Sequence, residues 1–117
     1  MSQSAGFRDQ DQATLDLHGA FIRKTSLRGA NLERANLAGA DCANADFSFT
    51  NLRGANLAGA NFSNAILRGA NLEDATLRDA DLRGADLRDA RHLTQLQLRE
   101  AILDERTKLT GSFGAQL

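Results

Sequence analysis

A large apolar residue recurs every five positions from Leu17 to Leu87, fifteen times in succession and without one insertion. These centres are all Leu except Ile22, Cys42, Phe47 and Phe62, and Ala stands two residues before twelve of them; Leu15, Thr25 and Thr50 replace it elsewhere. A period of five suits neither regular element. On a helix, five residues advance ~500°, so successive Leu would spiral round every face. On a straight strand, an odd period sends alternate Leu to opposite sides. Both conflicts vanish if the chain turns a corner within each repeat. Ala and the centre then point inward together along one short side, and the corner re-aims the next pair.

The corner has its own signal. Two residues after the centre stand Gly19, Gly29, Gly39, Gly54, Gly59, Gly69 and Gly84, with Asn44 and Asn64 in the same place. A turn such as Leu-Arg-Gly-Ala, with Gly third, is the type II pattern, which needs φ > 0 at that residue. Asn tolerates the same region. Lys24, Arg34, Phe49, Asp74, Asp79 and Asp89 hold the remaining corners and are expected to turn differently, with negative φ. If each corner is near a right angle, four repeats close a coil of 20 residues. Asn36–Ala40 recurs unchanged as Asn56–Ala60, and Leu27–Glu33 as Leu67–Glu73, offsets of 20 and 40. Other matches fall at 25, so the pattern by itself leaves the count open.

The Ala-Asn-Leu and Ala-Asp-Leu run resembles the pentapeptide-repeat proteins, whose motif is A(D/N)LXX, over residues 15 to 90. That resemblance implies an all-β fold, a right-handed quadrilateral β-helix of about four coils with centre and Ala pointing inward. At the ~4.8 Å spacing of strands, such a rod is ~20 Å tall.

A solenoid must close its two ends with atypical units. After Leu87 the pattern fails at Arg91-His92. Thr94, with Gln97 three residues on, then forms a capping box, the start signal of a short helix over about 95–101. The expected organisation is a flexible segment over 1–12, the β-helix over 13–91, a C-terminal cap with its helix over 92–110, and a flexible tail over 111–117.

Composition excludes several kinds of protein. Net charge is −1, and Trp, Tyr and Pro are absent. No single-sign field recruits nucleic acid or a membrane surface, and base-stacking aromatics are scarce. One Cys and two His do not make a structural zinc site or a disulfide framework. The polar first dozen residues are not a signal peptide, and no apolar run approaches a membrane span. A cytoplasmic protein is expected.

No catalytic, cofactor-binding or metal-binding residue stands out. Cys42 is at a centre and reads as a buried hydrophobe, with all fifteen centres expected inside. His18 and His92 lie far apart along the rod. Asp41, Asp46, Asp81 and Asp86 precede centres and are expected to bond nearby backbone groups. Thr25 and Thr50 are expected to bury their hydroxyls against backbone carbonyls. Paired-carboxylate chemistry needs a cleft, which a convex rod does not offer.

Steps of 20 residues assemble the surface. Glu33, Arg53 and Glu73 form a ladder of alternating charge, and Arg28, Ser48, Arg68 and Arg88 a basic stripe. Phe49 at a corner and Ile66 before a centre face outward on the stripe's side. The candidate partner surface is therefore Phe49, Ile66, Arg28, Arg68 and Arg88. A non-enzymatic structural or protein-interaction role is the leading expectation, with the partner itself unnamed. The alternative, suggested by the quinolone-resistance members of the family that the chain resembles, is a DNA-mimicking protein that binds type II topoisomerase (gyrase). From Asp16 to Ala90 there are ten acidic and nine basic residues, too even a balance for a mimic of DNA. The chain is expected to be a monomer, with weak self-association through its N-terminal end.

Overall fold

The computed structural model describes residues 15–111. The expectations for residues 1–12 and for most of the tail lie outside the described residues. The chain winds in a coil whose repeat is 20 residues. Parallel bridges pair Asp16 with Asn36, Asn36 with Asn56 and Asn56 with Thr76, and the same step joins Phe21–Asp41–Asn61–Asp81, Ser26–Asp46–Ile66–Asp86 and Asn31–Asn51–Asn71–Arg91. Each rung is a single-residue bridge, because a five-residue side holds only one extended pair before the next turn begins.

The motif's residue types follow from the backbone's need to pair every N–H. In the repeat around Leu57, Asn56 N–H donates back to the Ala35 carbonyl at 2.9 Å, and Leu57 N–H donates forward to Thr76 at 2.9 Å. Gly59 N–H donates forward to the Arg78 carbonyl at 2.9 Å, and Ala60 N–H closes the turn on Leu57 at 3.0 Å. The fifth donor, Ala58 N–H, is taken by the Asn56 side-chain oxygen at 3.0 Å. Asp41, Asp46, Asp81 and Asp86 do the same for the residue two positions on, as expected. Where Asn or Asp precedes a centre, its side chain is thus part of the backbone's own hydrogen bonding.

Corners depart from the two-class expectation. Lys24, Arg34, Phe49, Asp74, Asp79 and Asp89 all adopt φ between 57° and 64°, close to Asn44 and Asn64 and to the Gly corners. The reason is tertiary. The corner peptide donates its N–H to the corner carbonyl of the next coil, as in Gly29 to Ser48 at 2.8 Å, Phe49 to Arg68 at 2.8 Å and Gly69 to Arg88 at 3.2 Å. One flipped peptide would break the ladder above and below it. The column therefore holds side-chain-bearing residues in a conformation that sterically favours Gly by ~1–2 kcal/mol.

The interior is a stack of Leu and Ala with Phe47 and Phe62 packed edge to face, centroids 5.0 Å apart. Twelve centres, Leu32 to Leu87, are buried. Leu17, Ile22 and Leu27 are only partly buried, because no described coil stacks on their side of the first turn. Thr50 is buried and its hydroxyl donates to the Phe47 carbonyl at 2.8 Å. Thr25, on the uncovered first coil, is exposed, and its hydroxyl donates to Arg23 at 3.1 Å.

The C-terminal end is closed by side chains standing in for the missing next coil. Helix α1, Gln95–Glu100, begins at the expected Thr94/Gln97 capping box and buries Leu98. The Gln97 amide donates to the Leu72 and Ala75 carbonyls at 2.8 and 2.9 Å. Asp104 accepts from Gly84 N–H at 3.0 Å, and Thr107 donates to the Leu82 carbonyl at 2.8 Å. The helix and this wrap insert extra residues, so the last bridges slip to Asp81–Ile102 and Asp86–Lys108.

Candidate functional site

Of the sequence-selected surface, Arg28, Phe49 and Arg68 line one depression at a corner of the rod, and Ile66 and Arg88 lie outside that lining. Phe49 stands at the corner and is 57% exposed; Ile66, before the centre in the next coil, is 39% exposed. The Phe49 ring leans onto Gly69, where an added Cβ would meet a ring carbon at 2.5 Å. Above the ring lies the Arg28 guanidinium, 4.8 Å from the centroid. The aromatic is thereby held between a cation and a bare backbone, a geometry that contributes roughly 0.5–1 kcal/mol when exposed. Its left-handed backbone, φ 61°, is imposed by the peptide ladder described above.

Charge at the stripe is more balanced than its sequence suggests. Arg88 is clamped two-pronged on Asp86, at 2.9 Å from Nε and 2.7 Å from Nη2. Arg68 Nη2 meets the exposed Asp89 carboxylate at 3.1 Å. Arg28 has no carboxylate within ion-pair distance among the described residues. Asp46 is held below the usual carboxylate range by the Ser48 hydroxyl, at 2.6 Å, then by the Ser48 N–H and the Arg28 charge. The Arg88 side chain does the same for Asp86, with help from the Arg88 N–H and charge. Between Arg28 and Arg68 lies a depression of about 220 Å³ floored by Ser48, Phe49 and Gly69 and rimmed by Asp89.

Further features bear on the sequence expectations. The charge ladder is present, with Arg53 at 3.1 Å from Glu33 and 3.3 Å from Glu73. The rod is not convex throughout, as a shallow depression of about 410 Å³ opens between α1 and the last coil, beside Asp74, Arg78, Leu96 and Glu100. Only the position of α1 creates it, and the repeat gives no sign of it. Cys42 is fully buried, with its thiol pushed up to about 12 by burial and then by the Asp41 charge. Among the described residues no group of three or more His, Cys, Asp or Glu is placed to hold a metal ion, and no helix is long and apolar enough to cross a membrane.

A 20-residue register, single-residue rungs, a Leu-Ala interior and left-handed corners define a solenoid built from five-residue units. The family of pentapeptide repeats matches in eight copies, over residues 16–54, 30–69, 55–91 and 65–104, and the chain belongs to that family. Among solved structures it is similar to a pentapeptide-repeat protein, Rfr23, from the cyanobacterium Cyanothece 51142, at 33% identity and a TM-score of 0.73 over 80% of this chain and 63% of that one. It is also similar in fold to trypsin-treated QnrB1, a plasmid-mediated fluoroquinolone resistance protein, at 22% identity and a TM-score of 0.50 over 86% of this chain and 60% of that one. The chain thus spans less than two thirds of the length of either. No curated protein sequence matches it.

Proposed function

We propose that this is a non-enzymatic interaction protein, a right-handed quadrilateral β-helix of about four coils that binds a protein partner through the corner at Phe49 and Ile66. The observation that carries the reading is the Phe49 ring. It is more than half exposed and pinned by Arg28 and Gly69 at a corner where Gly or Asn serves the fold better. Aromatic residues, Phe among them, and Arg are enriched at the cores of protein interfaces. A non-catalytic role is supported by the carboxylates Asp46, Asp81 and Asp86, which are occupied by backbone and side-chain hydrogen bonds that favour the ionised form. That reading includes a cytoplasmic setting, in keeping with a chain whose one Cys is a buried free thiol. It also includes a monomer in solution, whose C-terminal end is closed by side chains and whose first coil, with Leu17, Ile22 and Leu27 only partly covered, is the place for weak self-association.

Topoisomerase binding by DNA mimicry draws support from the QnrB1 likeness, which is one of fold alone, and is opposed by the nearly even charge of the repeat. Affinity capture from the native host, run with wild type and with a Phe49→Glu, Ile66→Glu variant, tests the main reading. Partners retained by wild type and lost by the variant are expected. Identical capture by both would show that the corner is not the site. Submicromolar inhibition in a gyrase supercoiling assay would favour the mimic instead.

A further inference from the structure

We infer that the Phe49 corner receives an acidic segment bearing an apolar side chain, with a carboxylate seated between Arg28 and Arg68 and the apolar group laid on Phe49 and Ile66. The inference deepens the interaction reading given above and rests on it. Two residues here abandon the motif, and each abandonment works against the fold. Phe49 occupies a left-handed corner, φ 61°, where Gly or Asn is less strained. Ile66 occupies the position where Asn or Asp accepts the N–H two residues on; Asp46 does this for Ser48 and Asp86 for Arg88, one coil to either side. Ile66 has no side-chain acceptor to offer Arg68 N–H. Both departures lie at one corner and expose apolar surface there, since Gly69, under the Phe49 ring, is three residues beyond Ile66.

The charges name the partner's chemistry. The depression beside Phe49 is lined by Arg28 and Arg68, with Ile66 outside its lining. Arg28 lies over the face of the Phe49 ring and forms no ion pair among the described residues, and a cation stacked on an aromatic keeps its in-plane N–H donors available for a carboxylate. Arg68 has Asp89, whose side chain is 64% exposed, so the pair is solvent-screened and readily exchanged. The other carboxylates near the stripe are already engaged, Asp46 by Ser48 and Asp86 by Arg88. An incoming carboxylate therefore competes with Asp89 for Arg68 and meets no ion-paired carboxylate at Arg28 among the described residues, and the aliphatic or aromatic group next to it finds Phe49 and Ile66.

Two short synthetic peptides serve as probes, one alternating Glu with Leu and Phe, the other alternating Lys with the same apolar residues. Binding to the full chain is followed by NMR shifts of the backbone amides. The Glu peptide is expected to bind and to move Phe49, Arg68 and Gly69. Asp89→Asn, which removes the competing carboxylate, is expected to tighten it several-fold. Phe49→Gly and Ile66→Asn restore the motif, so both are expected to fold at least as well as wild type while each weakens binding by about tenfold or more. Preference for the Lys peptide, or weaker Glu-peptide binding in Asp89→Asn, would overturn the acidic assignment. If neither peptide binds while the Phe49→Glu, Ile66→Glu variant still loses its partners in affinity capture, the inferred chemistry is wrong and the corner remains the site. Full binding in both motif-restoring variants removes the corner as well.

Discussion

The ring of Phe49 rests on the bare Cα of Gly69, 20 residues and one coil further on, so closely that a methyl group at Gly69 would stand 2.5 Å from a ring carbon. Gly69 thus has two tasks, to turn its own corner at φ 69° and to leave room for the aromatic in the coil before it. Gly39 and Gly59 turn with the same geometry and have nothing within 4 Å of an added Cβ.

Gly69→Ala should therefore cost more than Gly59→Ala. Both lose the left-handed freedom of Gly, about 1–2 kcal/mol. Only the first must also displace the Phe49 ring. Urea unfolding of the two variants measures the difference. Adding Phe49→Gly to Gly69→Ala should recover the excess, and a double variant that shows no coupling would mean the ring moves aside freely.

Phe49→Gly and Ile66→Asn should each leave the protein as stable as wild type or more so. The first relieves left-handed strain of about 1 kcal/mol, offset in part by loss of the Arg28 stack. The second supplies an acceptor for Arg68 N–H, a hydrogen bond of about 0.5–1.5 kcal/mol. Thermal unfolding reads both, and a fall of several degrees in either would mean that the exposed apolar groups serve the fold.

Cys42 should resist thiol reagents in the native state at pH 8, since the fully buried thiol ionises only near 12. The folded form then holds its proton more tightly than the unfolded chain, where the value is near 9.0. The contribution to stability is intact below pH 9 and is lost as pH rises toward 12, at up to ~1.4 kcal/mol per pH unit. Cys42→Val removes this loss, so the stability difference between the two proteins should change between pH 9 and 12 and stay constant below. Rapid labelling at pH 8 would place Cys42 outside the stack.

Asp86→Asn tests the Asx position separately from charge. Asn keeps the oxygen that accepts Arg88 N–H, as Asn56 does for Ala58, but loses the ion pair with Arg88. The folded-state pKa of Asp86 lies below the ordinary 3.8, so its carboxylate stabilises the fold above that value and ceases to do so as pH falls through the folded pKa. Asp86→Asn should be less stable by about 0.5–1 kcal/mol at pH 7, Arg88 being well exposed, and the gap should close in acid. A gap that stays constant down to pH 2 would show that the ion pair contributes nothing.

The five-residue spacing of Leu17 to Leu87, with Ala two positions earlier, determined the inward stack, because only a chain that turns within each repeat brings all those residues to one interior. Thr94 and Gln97 likewise announced α1, since a capping box is a local hydrogen-bond pattern. Phe49 and Ile66 were legible as outward-facing from register alone. The conformation of Phe49, Asp74 and Lys24 was not, because local preference there favours negative φ and the peptide ladder between coils overrides it. Nor was the partial exposure of Leu17, Ile22 and Leu27, which are ordinary centres in sequence and differ only in what stacks on them. Tertiary structure also decided which arginine is spoken for. Arg68 meets Asp89 and Arg88 holds Asp86, while Arg28 turns to Phe49. These partners lie from two to 21 residues apart, and side-chain direction across the stack, which spacing does not encode, selects among them.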